Sequence, residues 1–120
     1  MESFQFFSVK KISLACAGFD ESSSGDKGDM ECPAGEQISV ESATVGRMSK
    51  TDCSAGIAKG YDAWRYEVCG KTVDASSEAK SKCNGQTSCQ YKYQGGQDPC
   101  PGYHKYTQIK YTCGAPVHAG

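Results

Sequence analysis

One stretch of this 120-residue chain places chemically useful side chains close together on a loop. It runs Gln97-Asp98-Pro99-Cys100-Pro101-Gly102-Tyr103-His104-Lys105-Tyr106. Asp98 supplies a carboxylate that accepts hydrogen bonds from two vicinal hydroxyls, and Lys105 supplies an ammonium that only donates. Gly102 lets a ligand approach the backbone, and Tyr103 offers an aromatic wall. Pro99, Pro101 and a half-cystine at Cys100 stiffen the loop, which lowers the entropy lost on binding. That set suits a sugar. On the residues alone, a structural turn carrying a surface Asp–Lys pair explains the same run.

Other chemistry is poorly provided for. A nucleophilic triad needs a histidine near a nucleophile and an acid. His104 and His118 are the only histidines, and His118 lies in the tail. Asp62, Asp74 and Asp98 are carboxylates, but no spacing pairs two of them for glycoside hydrolysis. Asp26, Asp29 and Glu31 could offer oxygen to calcium, yet the EF-hand spacing is absent and the segment reads as a solvated acidic loop. We therefore expect no catalysis, no metal and no cofactor. With 13 basic against 14 acidic residues, the chain lacks the cationic excess that nucleic-acid binders use, and no apolar run is long enough to enter a bilayer.

The cysteines are the second signal. They stand at 16, 32, 53, 69, 83, 89, 100 and 113, with no Cys-x-x-Cys pair. Dispersed cysteines in even number read as disulfides formed in an oxidising compartment, not as a zinc site. The stretch around Phe4–Val9 is broken by Lys10-Lys11 and lacks a secretory h-region. The expectation is a mature chain, or a domain of a longer secreted or membrane-anchored protein, with Met1 an added start. Asn84, the only asparagine, is followed by Gly-Gln and forms no glycosylation sequon.

Several elements must position these residues. Residues 8–16 read as a strand with Ile12, Leu14 and Cys16 on one face. Residues 17–36 read as an acidic loop, 37–45 as a strand showing Ile38, Val40 and Ser42, and 48–61 as loop. Trp64, Tyr66 and Val68 alternate as a short strand. Residues 75–83 read as the one helix, with Asp74 as N-cap, Ala75, Ala79 and Cys83 on its apolar face, and Asn84-Gly85 as its stop. Cys89, Tyr91 and Tyr93 alternate in a strand, and so do Thr107, Ile109, Tyr111 and Cys113. The fold class is α+β: a small antiparallel β-structure with one principal helix and long loops, stapled by disulfides. One domain spans 8–113, with flexible ends at 1–7 and 114–120.

The Asp98-Pro99-Cys100 run with Gly102 and Lys105-Tyr106, together with the cysteine order, resembles the sea-urchin-egg-lectin (SUEL) type of domain. These are the rhamnose- or galactose-binding lectin domains, also found in latrophilin receptors and at the end of some plant β-galactosidases. Supporting pieces are Ala43 with Gly46-Arg47, Cys69-Gly70-Lys71, Cys83-Asn84-Gly85, Ser88-Cys89 and Lys110-Tyr111-Thr112-Cys113. Spacing leaves on the order of a hundred pairings of the cysteines open. The resemblance implies Cys16–Cys53, Cys32–Cys113, Cys69–Cys100 and Cys83–Cys89. It also implies sugar contacts from Asp98, Gly102 and Lys105. Two further family contacts are replaced: a Glu by Ala17, and a Tyr by Val45. The 16-residue step from Cys16 to Cys32 is also long for the family. Two readings follow. One is an extracellular lectin for an L-rhamnose- or D-galactose-type glycan, with an altered preference. The other is an interaction module for a cell-surface protein on the same scaffold.

Overall fold

The computed structural model describes residues 10–16, 28–53, 60 and 62–115. The central strand, β6 (Tyr106–Gly114), alternates aromatic and β-branched residues with polar ones; Ile109 and Tyr111 are buried and Lys110 is exposed. Antiparallel neighbours flank it: β1 (Lys10–Ala15) on one side and β3 (Gln37–Gly46) on the other. β4 (Thr72–Asp74) extends the sheet by pairing with Thr44–Gly46, giving the order β1-β6-β3-β4. A second sheet pairs β2 (Gly28–Glu31) with β5 (Ser88–Tyr91). The two sheets meet closely at Gly28, where a Cβ would lie 2.4 Å from Ile109 Cδ1. Helix α1 (Ser76–Cys83) packs on β3 through Ala79 and Cys83. The core gathers Met30, Ile38, Val40, Ala43, Val45, Tyr91, Ile109 and Tyr111 around this helix face.

β3 carries a bulge between Val40 and Ser42. One extra residue, Glu41, shifts the alternation, so Ile38 and Val40 face the core before it and Ala43 and Val45 after it. The expected inward Ser42 is thereby replaced by Ala43. Beyond the short β4, the free edge of β3 is closed by the two ends of α1. Ala43 N–H donates to Ser76 Oγ at 3.0 Å, and Ala75 N–H to Ala43 O at 2.8 Å. At the other end, Val40 N–H donates to Asn84 Oδ1 at 2.6 Å and Ile38 N–H to Gln86 O at 2.8 Å. A strand edge that would otherwise offer unpaired groups is thus covered. Asp74 Oδ1 accepts from Ser76 N–H at 2.9 Å, and Gly85 leaves the helix at φ +89°. The hydrogen bonds from Ser76 hold the Asp74 carboxyl below its ordinary pKa.

Three further sequence expectations are corrected. In β1 the inward residues are Ser13 and Ala15, while Ile12 is 60% exposed, because the register with β6 sets the face. Part of the acidic segment, 28–31, is strand β2 with Met30 fully buried; 17–27 lies outside the described residues. Trp64 and Tyr66 lie in a 3-10 turn (Ala63–Tyr66), not a strand: Tyr66 is buried and Trp64 exposed. β4 had no sequence signal strong enough to announce it. Of the flexible ends expected at 1–7 and 114–120, residues 1–7 and 116–120 lie outside the described residues, and Gly114 closes β6.

The structure joins Cys16 to Cys53, Cys32 to Cys113, Cys69 to Cys100 and Cys83 to Cys89, the pairs implied by the resemblance. Cys32–Cys113 spans 81 positions and contributes about 4.5 kcal/mol in the chain-entropy view.

Tyr91 is fully buried, and its hydroxyl donates to Glu78 Oε1. Burial first, and the Glu78 partner second, push its phenol far above the ordinary value of 10.0. The unfolded chain ionises near pH 10 and the native state does not. Stability is therefore fully present below about pH 10 and declines as pH rises above it, by up to about 1.4 kcal/mol per unit for this tyrosine. Urea unfolding at pH 8.5 and 11 should show that decline, and Tyr91→Phe should lessen it; an unchanged pH dependence in the variant contradicts this origin.

Candidate functional site

The loop between β5 and β6 is built around its own side chains. Asp98 Oδ1 accepts from Cys100 N–H at 2.9 Å, forming an Asx turn. Tyr103 N–H donates to Cys100 O at 3.0 Å, and Gly102 between them sits at φ +88°, which favours glycine. Lys105 turns back into the loop. Its Nζ lies 3.2 Å from Asp98 Oδ1, donates to Cys100 O at 2.8 Å, and donates to Tyr103 O. The Lys105 side chain has no exposed surface, whereas that of Asp98 is 31% exposed. An ammonium has three protons. A direct bond from Lys105 to a ligand requires one of these three partners to be given up. Among the described residues, both hydrogen bonds to the Asp98 carboxylate fall on Oδ1, which leaves the lone pairs of Oδ2 to accept from a ligand.

The structure therefore brings Asp98, Gly102, Tyr103 and Lys105 together, with Asp98 on the surface and Lys105 beneath it. Val45 is 2% exposed and packs in the core with Val40 and Ala43, so it presents no wall to this loop. A tyrosine there would have to displace core residues. Ala17 lies outside the described residues. His104 is buried and stacks on Tyr66, with ring centroids 4.7 Å apart.

Two positions that pack against the candidate loop escaped the sequence reading. The first is Arg47, 1% exposed at the end of β3. Its guanidinium donates to His104 O at 2.8 Å, Ser49 O at 2.9 Å, Cys53 O at 3.1 Å and Asp52 O. It lies between the rings of Tyr66 and Tyr106, at 5.1 and 4.8 Å from their centroids. Tyr106 in turn donates to Asp52 Oδ2 at 3.3 Å, and burial raises the pKa of its phenol. The Gly46-Arg47 pair was visible in the sequence, but a surface arginine at a strand end looks the same. The second is Trp64, which borders the loop: its ring meets Tyr103 edge-on at 5.4 Å and comes within 3.3 Å of where a Gly102 Cβ would be.

The buried ammonium gives a stability prediction. Lys105→Met leaves two carbonyls and a carboxylate without their cation. It should cost about 2–4 kcal/mol in chemical unfolding, below the full figure for a buried pair because Asp98 is partly exposed. Asp98→Asn in the Lys105→Met background should then cost little more. Additive losses would show that the two side chains are not coupled.

The D-galactoside/L-rhamnose binding SUEL lectin domain family matches residues 30–113. The chain is 30% identical over 109 residues to human adhesion G protein-coupled receptor L1, covering 89% of this chain and 7% of that protein. It is 30% identical over 96 residues to Latrophilin-like protein 1 of Caenorhabditis elegans, covering 78% of this chain and 9% of that one. It is also 28% identical over 90 residues to L-rhamnose-binding lectin SML of Scomberomorus niphonius, 72% of this chain and 42% of the lectin. The chain thus spans under a tenth of the first two proteins and under half of the third. With 84 consecutive positions matched, from β2 to the end of the central strand, this chain belongs to the SUEL lectin domain family.

Proposed function

We propose that this domain is an extracellular, non-catalytic glycan-binding module, and that a rhamnose- or galactose-type sugar sits on the loop 98–105. The observation that carries the reading is the partly exposed Asp98 carboxylate, anchored through Oδ1 by Lys105 and the Cys100 amide, which leaves Oδ2 to accept from a ligand. A carboxylate fixed in this way accepts from two adjacent ring hydroxyls without paying for its own ordering. In this reading Asp98 is the direct acceptor, Gly102 holds the turn at φ +88° and leaves room for the Trp64 ring, Tyr103 contributes an apolar wall, and Lys105 sets the position and charge of Asp98. Four disulfides suit an oxidising, extracellular setting. Among the described residues no helix is long and apolar enough to cross a membrane. The family name and the named L-rhamnose-binding relative support the sugar class.

A second reading, a protein-interaction module on the same scaffold, draws on the similarity to adhesion G protein-coupled receptor L1. The inward Val45 favours it to the extent that a family sugar contact is missing. A glycan array separates the two. Saturable binding that free rhamnose or galactose competes away supports the lectin. An empty array, with a cell-surface protein recovered by cross-linking, supports the module. On the lectin reading, Asp98→Asn should weaken binding by about 1.5–3 kcal/mol, the scale of a charge-assisted hydrogen bond, while circular dichroism shows the fold kept. Wild-type affinity in a folded Asp98→Asn variant would place the site elsewhere.

A further inference from the structure

Trp64 is 50% exposed, although a tryptophan is ordinarily largely buried. It is not loosely attached. The 3-10 turn that carries it is closed by Arg65 N–H to Asp62 O and Glu67 N–H to Trp64 O, both at 3.2 Å. His104 N–H donates to Arg65 O at 2.9 Å, which docks the turn onto the candidate loop. Tyr103 meets the indole edge-on, and Gly102 leaves room for it: any side chain there would press on the ring and strain a φ of +88°. The Arg65 guanidinium lies 5.3 Å from the ring centroid and pairs with Asp62 at 3.9 Å, both side chains substantially exposed. The result is an ordered aromatic surface, bordered by a donor and an acceptor, continuous with the loop that presents Asp98.

We propose that Trp64 and Tyr103 form a second saccharide subsite, which holds the sugar residue next to the one bound at Asp98. The proposal rests on the glycan reading of that loop and extends it: the ligand class is an oligosaccharide of two or more residues. A pyranose has an apolar C–H face and a rim of hydroxyls. The indole suits the face, and Arg65 and Asp62 suit the rim. A protein partner would also use an exposed tryptophan. The polar border and the direct continuity with Gly102 and Tyr103 favour the sugar.

Trp64 is the only tryptophan in the chain, so its emission reports this surface alone. The probes are methyl α-L-rhamnoside, methyl β-D-galactoside, and rhamnose- and galactose-terminated disaccharides of each linkage, with affinities from calorimetry. At least one disaccharide should bind about tenfold tighter than its methyl glycoside and shift the Trp64 emission to the blue. Trp64→Ala should erase that gain yet leave methyl glycoside affinity within about twofold, and Trp64→Phe should keep most of it. The subsite is refuted if every disaccharide binds no better than its methyl glycoside, or if the gain survives Trp64→Ala. If the methyl glycosides fail to bind folded wild-type protein, the loop reading itself falls, and the subsite falls with it.

Discussion

A buried guanidinium organises the end of the molecule that carries the candidate site. Arg47 leaves β3 and donates to four carbonyls, three from the loop 49–53 and one from His104. Those segments have no strand ladder to satisfy them, and a buried carbonyl without a donor is costly. One side chain with five N–H groups in a fixed plane meets that need. The rings of Tyr66 and Tyr106 cover the guanidinium and exclude water from it. Nearby, Lys105 does the same for the carbonyls of Cys100 and Tyr103, with Asp98 as its counter-ion. Two buried cations thus replace secondary structure in shaping this end.

The molecule divides accordingly. At the core end, α1 closes the edge of β3, and Cys32–Cys113 and Cys83–Cys89 staple the small sheet and helix to the main sheet. At the loop end, Cys16–Cys53 and Cys69–Cys100 tie the long loops to their neighbours, and Arg47 and Lys105 set their shape. A preformed loop loses little entropy when a ligand arrives, which matters for small, hydrated sugars whose individual hydrogen bonds contribute little net energy. The same construction places an exposed carboxylate directly above a buried ammonium, so the charge that would meet a ligand is fixed from below.

The parts of this arrangement that were legible in the sequence are local or covalent. The helix face of Ala75, Ala79 and Cys83 follows from spacing, and all three are buried. The alternation of Ile109 and Tyr111 marks the central strand, and the cysteine order with the Asp98–Lys105 run marks the family. What escaped depends on tertiary register. One extra residue at Glu41 changes which side chains of β3 face inward, and no pattern of polarity announces it. The face of β1 follows its pairing with β6, not its own hydropathy. Trp64, Tyr66 and Val68 alternate like a strand, but local hydrogen bonds and docking to His104 wind the first two into a turn. Lys105 and Arg47 look like surface charges in a sequence; only the carbonyls that converge on them make burial affordable.

The central claim is that a sugar meets this domain at the loop supported by the two buried cations. The most direct measurement is a titration of the isotope-labelled protein with L-rhamnose and D-galactose, followed by backbone amide chemical shifts. The account predicts saturable changes concentrated at residues 62–66 and 97–105, with the strands β1 and β5 silent. A recess of about 210 Å³, lined by Gln37, Ser39, Asn84 and Thr112, lies at the other end of β3 and serves as an internal control. Saturable changes centred on that recess, with the loop silent, would contradict the account.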